Sequence, residues 1–449
     1  MNTAFAMLAS PQRWMPVFPI LLLIVLGILP RMAWAQPMEE VVLDLRQPDS
    51  ATDGVQGFLH GFERIGYDRE KLDWPRLQAL RPRFWRMGLS DQAGKNYLLA
   101  KALNPAVKVT VVLSDQLAVL RGGYHALRPW EDWNKYESDV RQVVALYRQH
   151  GVQVDYWDVW SEPDTHAMWR GSCDQAMQMF ERTARVIREV DATARVVGPS
   201  VSDVNEKGAC SEGFLSHFLH YVTEHRLRWD GVSWHEFHHP RNVPLQAAAI
   251  RAHFQRYPSW GAIPEMHVNE FSGPRDAQNP AWAVAWLQSL ETARVDWASR
   301  ACWDDGCGAG LDGLFRADNR TPNALYWVHQ AYAAIPSGRM RVRTSSPDTF
   351  VIAGRQEGGP QIAMLLARLG AKEGGAASGT PLRLRLQHAP SVRPHTVMLQ
   401  RIVAGVSAPV TESQPQIGLR AGAWEIMLPD VREGEAWFVR LQPDEMTLK

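Results

Sequence analysis

Two glutamates in this 449-residue sequence each close a strand-like segment. Glu162 ends the stretch VDYWDVWSE (154–162), and Glu270 is the centre of HVNEFSG (267–273). Glycoside hydrolysis uses a carboxylic acid that protonates the departing oxygen and a carboxylate that attacks the anomeric carbon from the other face. In retaining enzymes these two carboxyl groups stand about 5–5.5 Å apart. A lone Glu-Pro pair at a strand end is otherwise a solvated turn, so the prediction depends on the elements that bring the two groups together.

Short apolar segments alternate with helical patterns between residues 57 and 335. The eight strand candidates are 57–62, 83–88, 107–115, 154–162, 194–200, 231–237, 264–272 and 300–305, and the clearest helical patterns are 133–150, 173–190, 280–295 and 322–335. Alternation of this kind predicts parallel βαβ units, and eight of them in this length are typical of a (β/α)8 barrel. A doubly wound open sheet is the alternative, but it usually carries a G-x-G-x-x-G turn after the first strand, and GFLHGFERIG does not match.

The sequence changes character after residue 336. Short alternating runs there are separated by Gly and Pro clusters, which predicts a C-terminal antiparallel β-sandwich. The segment EEVVLDLRQ (39–47) has the same pattern and is expected to pair with it. The predicted order of parts is a signal peptide (1–35), an N-terminal segment (36–56), the barrel (57–335) and the β-domain (336–449).

A barrel builds its active site from the loops at the C-terminal ends of its strands. Glu162 and Glu270 close the fourth and seventh strands, so we expect them on opposite sides of one cleft. The further residues expected to bind substrate at these ends are Arg86, Trp160, Ser161, His235 and Trp303. Each has another interpretation, because tryptophans also fill cores and Arg86 could instead pair with a site carboxylate.

The strand-end glutamates, the SWHEF pattern (233–237) and the trailing β-domain together resemble glycoside hydrolase family 39. This family includes β-xylosidases, α-L-iduronidases and bacterial exopolysaccharide hydrolases. The resemblance implies that Glu162 is the general acid/base, that Glu270 is the nucleophile and that Trp303 lies beneath the sugar. Two positions depart from the family pattern: Ser161 replaces an asparagine that binds the sugar 2-hydroxyl, and Phe237 replaces a tyrosine that supports the nucleophile.

Two other functions fit parts of the sequence. Residues 235–239, HEFHH, match the H-E-x-x-H signature of zinc proteases. That chemistry needs both histidines on one face of a helix, whereas Pro240 follows at once and the preceding residues are strand-like. The other alternative is a polysaccharide-binding protein with a decayed site, which the presence of both glutamates disfavours.

The N-terminus predicts export. Residues 14–30 carry no charge and are followed by an A-x-A cleavage pattern ending at Ala35. The apolar run is shorter than the roughly 20 residues of a spanning helix, so a cleaved signal peptide is favoured over a membrane anchor. Export permits disulfides, and the favoured pairs are Cys173 with Cys210 and Cys302 with Cys307.

The charge balance narrows the range of partners. The 48 basic side chains equal the 48 acidic ones, which disfavours a nucleic-acid binder. The expected partner is an oligosaccharide or polysaccharide, with no membrane contact beyond the signal segment or anchor. No metal or organic cofactor is expected, because the two carboxyl groups perform the bond chemistry.

Overall fold

The computed structural model describes residues 38–442, except for 53, 60–69, 71–72, 89–93, 258–259, 273–278, 302–313, 317, 319, 371–378, 389–395, 413–414 and 416. Two sheets organise this part of the chain: a closed barrel and a ten-stranded sheet. The predicted fold class, an α/β (β/α)8 barrel with a C-terminal antiparallel β-domain, is confirmed. The predicted signal segment lies outside the described residues, and the predicted domain boundaries stay predictions.

The barrel consists of eight parallel strands in chain order. Strand β1 (Glu39–Ala51) precedes them, and the barrel strands are β2 (Gly57–Leu59), β3 (Phe84–Met87), β4 (Lys108–Val112), β5 (Tyr156–Asp158), β6 (Val196–Val201), β7 (Gly231–Glu236), β8 (Glu265–Phe271) and β9 (Trp297–Arg300). Pairing of Phe58 with Arg300 closes the ring. Nearly all residues in these strands are buried, as expected where helices cover the outside and side chains fill the inside.

The helices that surround the barrel follow the predicted periodicity. They are α1 (Trp74–Ala79), α2 (Lys95–Leu103), α3 (Leu113–Arg121), α4 (Trp133–Gln149), α5 (Cys173–Val190), α6 (Phe214–Glu224), α7 (Asn242–Gln255), α8 (Pro280–Thr292) and α9 (Ala324–Ala333). Local chemistry sets their starts: Ser172 and Gln175 form a capping box before α5, and Asn279 caps α8. In the part of the chain that the structure describes, no helix is long and apolar enough to cross a membrane.

The eighth barrel strand corrects the sequence prediction. It was expected at 300–305, but β9 runs from Trp297 to Arg300. Pairing with β8 decides its place, because His267 aligns with Trp297 and Val268 with Ala298. The sequence pattern alone does not determine the register in which a short strand pairs with its neighbour. Trp303 and the two cysteines at 302 and 307 consequently follow the strand and lie outside the described residues.

The second sheet collects the remaining strands. They are β10 (Gly338–Thr344), β11 (Thr349–Arg355), β12 (Ile362–Arg368), β13 (Thr380–Gln387), β14 (Thr396–Ile402), β15 (Val410–Thr411), β16 (Ile417–Arg420), β17 (Ala423–Val431) and β18 (Ala436–Gln442). Their order is β15-β14-β18-β12-β11-β10-β1-β13-β17-β16. The N-terminal strand β1 lies in the middle of this sheet, antiparallel to β10 and parallel to β13.

The sheet has a hydrophobic core on each face. On one face, Ile352 and Leu365 join the same core as the barrel helices, and α8 packs on β11 and β12. On the other face, the curled sheet folds over its own side chains, among them Leu43, Leu384 and Trp437. The barrel and the sheet therefore share one continuous interface.

A disulfide joins Cys173 to Cys210, the pairing expected from the sequence. Cys173 is the first residue of α5, and Cys210 lies in the loop that precedes α6. The bond ties together the loops that follow β5 and β6. The pairing expected for Cys302 and Cys307 stays a prediction.

Candidate active site

Glu162 and Glu270 come together at the C-terminal end of the barrel. One carboxylate oxygen from each and one ring nitrogen of His235 all lie within 4.8 Å of one another. Glu162 follows β5 and its backbone N–H donates to the carbonyl of Ser200, 2.9 Å away. Its φ of 52° lies in the left-handed region, which is uncommon for a residue other than glycine and accumulates at functional sites. The side chains of Glu162 and Glu270 are 24% and 16% exposed, so both carboxyl groups are open to the cleft.

Arg86 on β3 forms ion pairs with both Glu270 and Asp158. Its Nη1 donates to Glu270 Oε1 at 2.5 Å, and its Nε and Nη2 donate to Asp158 Oδ2 at 2.9 and 2.8 Å. Burial lowers the pKa of the guanidinium, but the charges of Asp158 and Glu270 outweigh burial and raise it. Arg86 is 1% exposed, so its interpretation as an ion-pair partner fits the structure better than direct contact with substrate.

Asp158 is the fixed point behind Arg86, and the sequence reasoning missed it. This fully buried carboxylate also accepts from the Ser200 hydroxyl at 2.7 Å and from the Asn269 amide at 2.8 Å. A buried charge is costly unless it is paired and hydrogen-bonded. Asp158, which is flanked by apolar residues in the stretch VDYWDVW (154–160), was therefore the signal that could have revealed this network.

His235 connects the two glutamates. Its Nδ1 lies 3.1 Å from Glu162 Oε1 and its Nε2 lies 3.8 Å from Glu270 Oε1. Burial raises the pKa of Glu162, but the hydrogen bond and charge of His235, together with the charge of Arg86, outweigh burial and lower it. His235 itself is 1% exposed at the end of β7, which agrees with the prediction that it lines the site.

Ser161 and Trp160 have different surroundings. The Ser161 hydroxyl accepts from Arg86 Nη2 at 3.2 Å, and its backbone N–H donates to Ser114 Oγ at 3.0 Å. Trp160 is 0% exposed, and its indole N–H donates to the carbonyl of Met168 at 3.3 Å. The expectation that Trp160 contacts sugar is corrected: its ring packs against the rings of Tyr124 and Trp169 in the core.

A third buried carboxyl group lies near the pair. Asp115, in the first turn of α3, accepts a hydrogen bond from the Tyr124 hydroxyl. Burial raises the pKa of Asp115 to about 6, although Tyr124 and Arg86 act to lower it. Nothing in the sequence pattern singled out Asp115, because the segment 107–115 was interpreted as a strand throughout, whereas α3 begins at Leu113.

The H-E-x-x-H segment lacks the geometry of a zinc protease. Strand β7 includes His235 and ends at Glu236, so His235 and His239 share no helical face. The Glu236 carboxylate instead accepts from the backbone N–H groups of His238 and His239, at 2.8 and 3.1 Å. Glu236 therefore orders the loop that leads into α7.

A different set of side chains could hold a metal ion by distance alone. These are Glu162, His235 and Glu270 themselves, whose ligand atoms lie within 4.8 Å of one another. However, the Arg86 guanidinium already neutralises Glu270 at 2.5 Å. A metal ion here would have to compete with that guanidinium for Glu270, so the donor set suits acid–base chemistry better.

Comparisons with known proteins agree with this geometry. Residues 96–253 match the sequence model of glycosyl hydrolases family 39, a region that contains Glu162 and His235. A β-xylosidase of Geobacillus stearothermophilus is 26% identical over 191 residues, which are 37% of this chain and 36% of that protein. The chain thus matches about a third of the length of this curated relative. The predicted resemblance to family 39 is confirmed.

Solved structures extend the likeness to the whole fold. A family 39 enzyme from Xanthomonas axonopodis pv. citri has a TM-score of 0.67 at 18% identity, covering 93% of this chain and all of that one. A monomeric β-xylosidase from Caulobacter crescentus has a TM-score of 0.62 at 15% identity, covering 90% of this chain and 99% of that one. At such identities the likeness supports the architecture of barrel and sheet.

Proposed function

We propose that this protein is a retaining glycoside hydrolase. The observation that carries the proposal is the Glu162–Glu270 pair, with oxygens within 4.8 Å at the end of a barrel where active sites lie. Retaining enzymes hold their carboxyl groups about 5–5.5 Å apart, whereas inverting enzymes need about 6.5–9.5 Å to admit a water molecule. The separation of this pair is nearer to the retaining spacing than to the inverting one.

The surroundings of the two carboxyl groups assign their roles. Glu270, paired with Arg86, is the nucleophile that attacks the anomeric carbon and forms a glycosyl-enzyme. Glu162, hydrogen-bonded to His235, donates a proton to the departing oxygen. It then removes a proton from the water that releases the sugar.

The protonation of Glu162 has to depend on substrate. In the free protein, His235 and Arg86 lower the pKa of Glu162. A bound sugar excludes water from the cleft, and burial without new partners raises the pKa of a carboxyl group. We infer that substrate binding completes the acid, so that the proton is taken up as the cleft fills.

The proposed substrate is a polysaccharide, such as an exopolysaccharide, that meets the protein after export. The signal-like N-terminus and the Cys173–Cys210 disulfide support an oxidising compartment. The relatives are named β-xylosidases, so xylosides belong among the first substrates to assay.

The direct test replaces each glutamate separately with glutamine. Glu162→Gln and Glu270→Gln should each lower activity on a glycan panel by at least about 10²-fold, because each removes a group that transfers protons or forms the intermediate. Wild-type product should first appear with retained anomeric configuration by NMR. Circular dichroism on both variants checks that the fold is intact.

Each alternative predicts a different result. Full activity in both variants would contradict the two-glutamate mechanism. A product with inverted anomeric configuration would contradict the retaining assignment. A metalloprotease would lose activity in a chelator and cleave casein. A decayed binding protein would bind glycans and release no reducing ends.

A further inference from the structure

We propose that the protein holds an acidic oligosaccharide in a second site, where the barrel meets the large sheet. This inference rests on the proposed function, because it assumes that the protein encounters glycans. The site, here called the seam groove, consists of two adjoining cavities of about 880 and 420 Å³. Both are lined by Arg81, Ala333, Ala334 and Arg440, so they form one continuous depression.

The seam groove lies at the end of the barrel opposite to Glu162 and Glu270. Its lining includes Gln56, Arg83 and Asn104, which precede β2, β3 and β4. The two glutamates instead belong to the C-terminal ends of their strands. A sugar bound in the seam groove is therefore not cleaved there. The role of the seam groove is to hold the glycan.

The charge of the seam groove favours an anion. Among the described residues that line it are Arg81, Arg83 and Arg440, against one carboxylate, Glu357. The chain as a whole carries equal numbers of basic and acidic side chains, so this excess is local. Guanidinium groups bind carboxylates through paired hydrogen bonds, which suits uronic acid residues.

Two of these arginines can each accept an anionic partner. Within the described part of the chain, neither Arg81 nor Arg440 takes part in an ion pair. The Nε of Arg440 is buried without a hydrogen-bond partner there, and its guanidinium lies 5.3 Å from the ring centre of Phe438. A carboxylate bound in the groove would supply both guanidinium groups with an ion-pair partner.

The remaining lining suits a sugar rather than a simple ion. Amide side chains of Gln78, Gln356 and Gln361 offer donors and acceptors for hydroxyl groups. Trp327 also lines the groove and is partly exposed, and its indole is held by donation to the carbonyl of Ser407 at 2.8 Å. Cations, amides and aromatic faces in one groove match the three kinds of surface on an acidic oligosaccharide.

Calorimetric titration tests the inference. The full chain with Glu270→Gln, which keeps the ligand intact, is titrated with tetragalacturonate and with neutral cellotetraose. We expect the acidic tetramer to bind at least tenfold more tightly than the neutral one and to weaken as salt is added. Arg81→Asn and Arg440→Gln should each weaken binding of the acidic tetramer at least fivefold.

The chain offers a matched control for the first substitution. Arg81 has a φ of 47°, and asparagine tolerates that conformation. Arg294 is also exposed and has a φ of 51°, but it is not part of the seam groove. Arg294→Asn should therefore leave the affinity unchanged.

Three results would overturn the inference. These are equal affinity for the neutral tetramer, affinity unaffected by both groove substitutions, and tighter binding of an RNA tetramer than of the uronate. Hydrolysis of a small glycoside by Arg81→Asn should equal that of the wild-type protein. Loss of the second site is thereby distinguished from failure of the proposed activity, which the glutamate variants report.

Discussion

At the residue scale, the proton on Glu162 is governed by His235. Sequence patterns placed both glutamates and His235 at strand ends, and the structure brings all three together. Asp158, Asn269 and Ser200 escaped prediction because they act through Arg86 rather than on substrate. Their contacts cross from β5 to β8 and β6, and no local pattern reports such pairs.

Replacing His235 tests its hold on Glu162. In His235→Phe the hydrogen bond and charge that lower the pKa of Glu162 are lost, and burial, which raises that pKa, remains. The alkaline limb of the kcat/KM profile, where the acid loses its proton, should move to higher pH. His235→Asn, whose amide can still donate, should move it less. An unmoved limb, or one at lower pH, would contradict this role for His235.

The buried Asp115 makes stability depend on pH. The folded state raises its pKa from 3.8 to about 6, so folded protein binds that proton more tightly than unfolded chain. The contribution of Asp115 to the free energy of unfolding is greatest at low pH. It falls by roughly 2–3 kcal/mol as the pH rises from about 4 to 6. Asp115→Asn should therefore gain stability relative to wild type between pH 4 and 7 in urea titrations. The exposed Asp49→Asn should show no such trend, and a constant difference for Asp115→Asn would refute the effect.

At the element scale, the sequence predicted the long amphipathic helices most accurately. Helices α4 and α5 match their predicted bounds within a residue, because amphipathic repeats and caps are local properties. The short β9 was misplaced, since its position depends on pairing with β8. In the same way, the segment predicted as strand to residue 115 turns into α3 at Leu113.

The disulfide gives a prediction at this scale. It closes a segment with a sequence separation of 37, from the first residue of α5 to the loop before α6, which corresponds to about 4 kcal/mol in the chain-entropy treatment. The double variant Cys173→Ser, Cys210→Ser should lose roughly 2–4 kcal/mol of unfolding free energy in urea. Reductant should destabilise the wild-type protein by a similar amount. If the double variant matches oxidised wild type, the bond contributes nothing to stability.

At the scale of the whole molecule, one buried ion pair joins the barrel to the sheet. Arg339, at the start of β10, is 3% exposed and donates to both carboxylate oxygens of Glu291 on α8, at 2.8 to 3.0 Å. The Tyr332 hydroxyl donates to the same carboxylate at 2.6 Å. This cluster fixes the barrel helices to the sheet at the interface that also forms the seam groove.

Breaking that pair should destabilise the whole molecule. Arg339→Met leaves the Glu291 carboxylate, whose side chain is 13% exposed, without its cation, and the expected loss is about 3–5 kcal/mol in urea unfolding. Arg141→Met removes an exposed pair with Glu189 at 2.6 Å and should cost at most about 1 kcal/mol. Equal losses in the two variants would show that burial does not matter at Arg339.

The sequence by itself determined the barrel, the β-rich C-terminal part and the two glutamates. These follow from local periodicity and from the rule that barrel strands carry activity at one end. Only the tertiary structure decided that Trp160 is core, that Asp158 anchors Arg86, and that β1 lies inside a sheet built from residues some 300 positions later. The physical reason is that burial and pairing are set by contacts between distant segments, and a one-dimensional pattern carries no record of which segments meet.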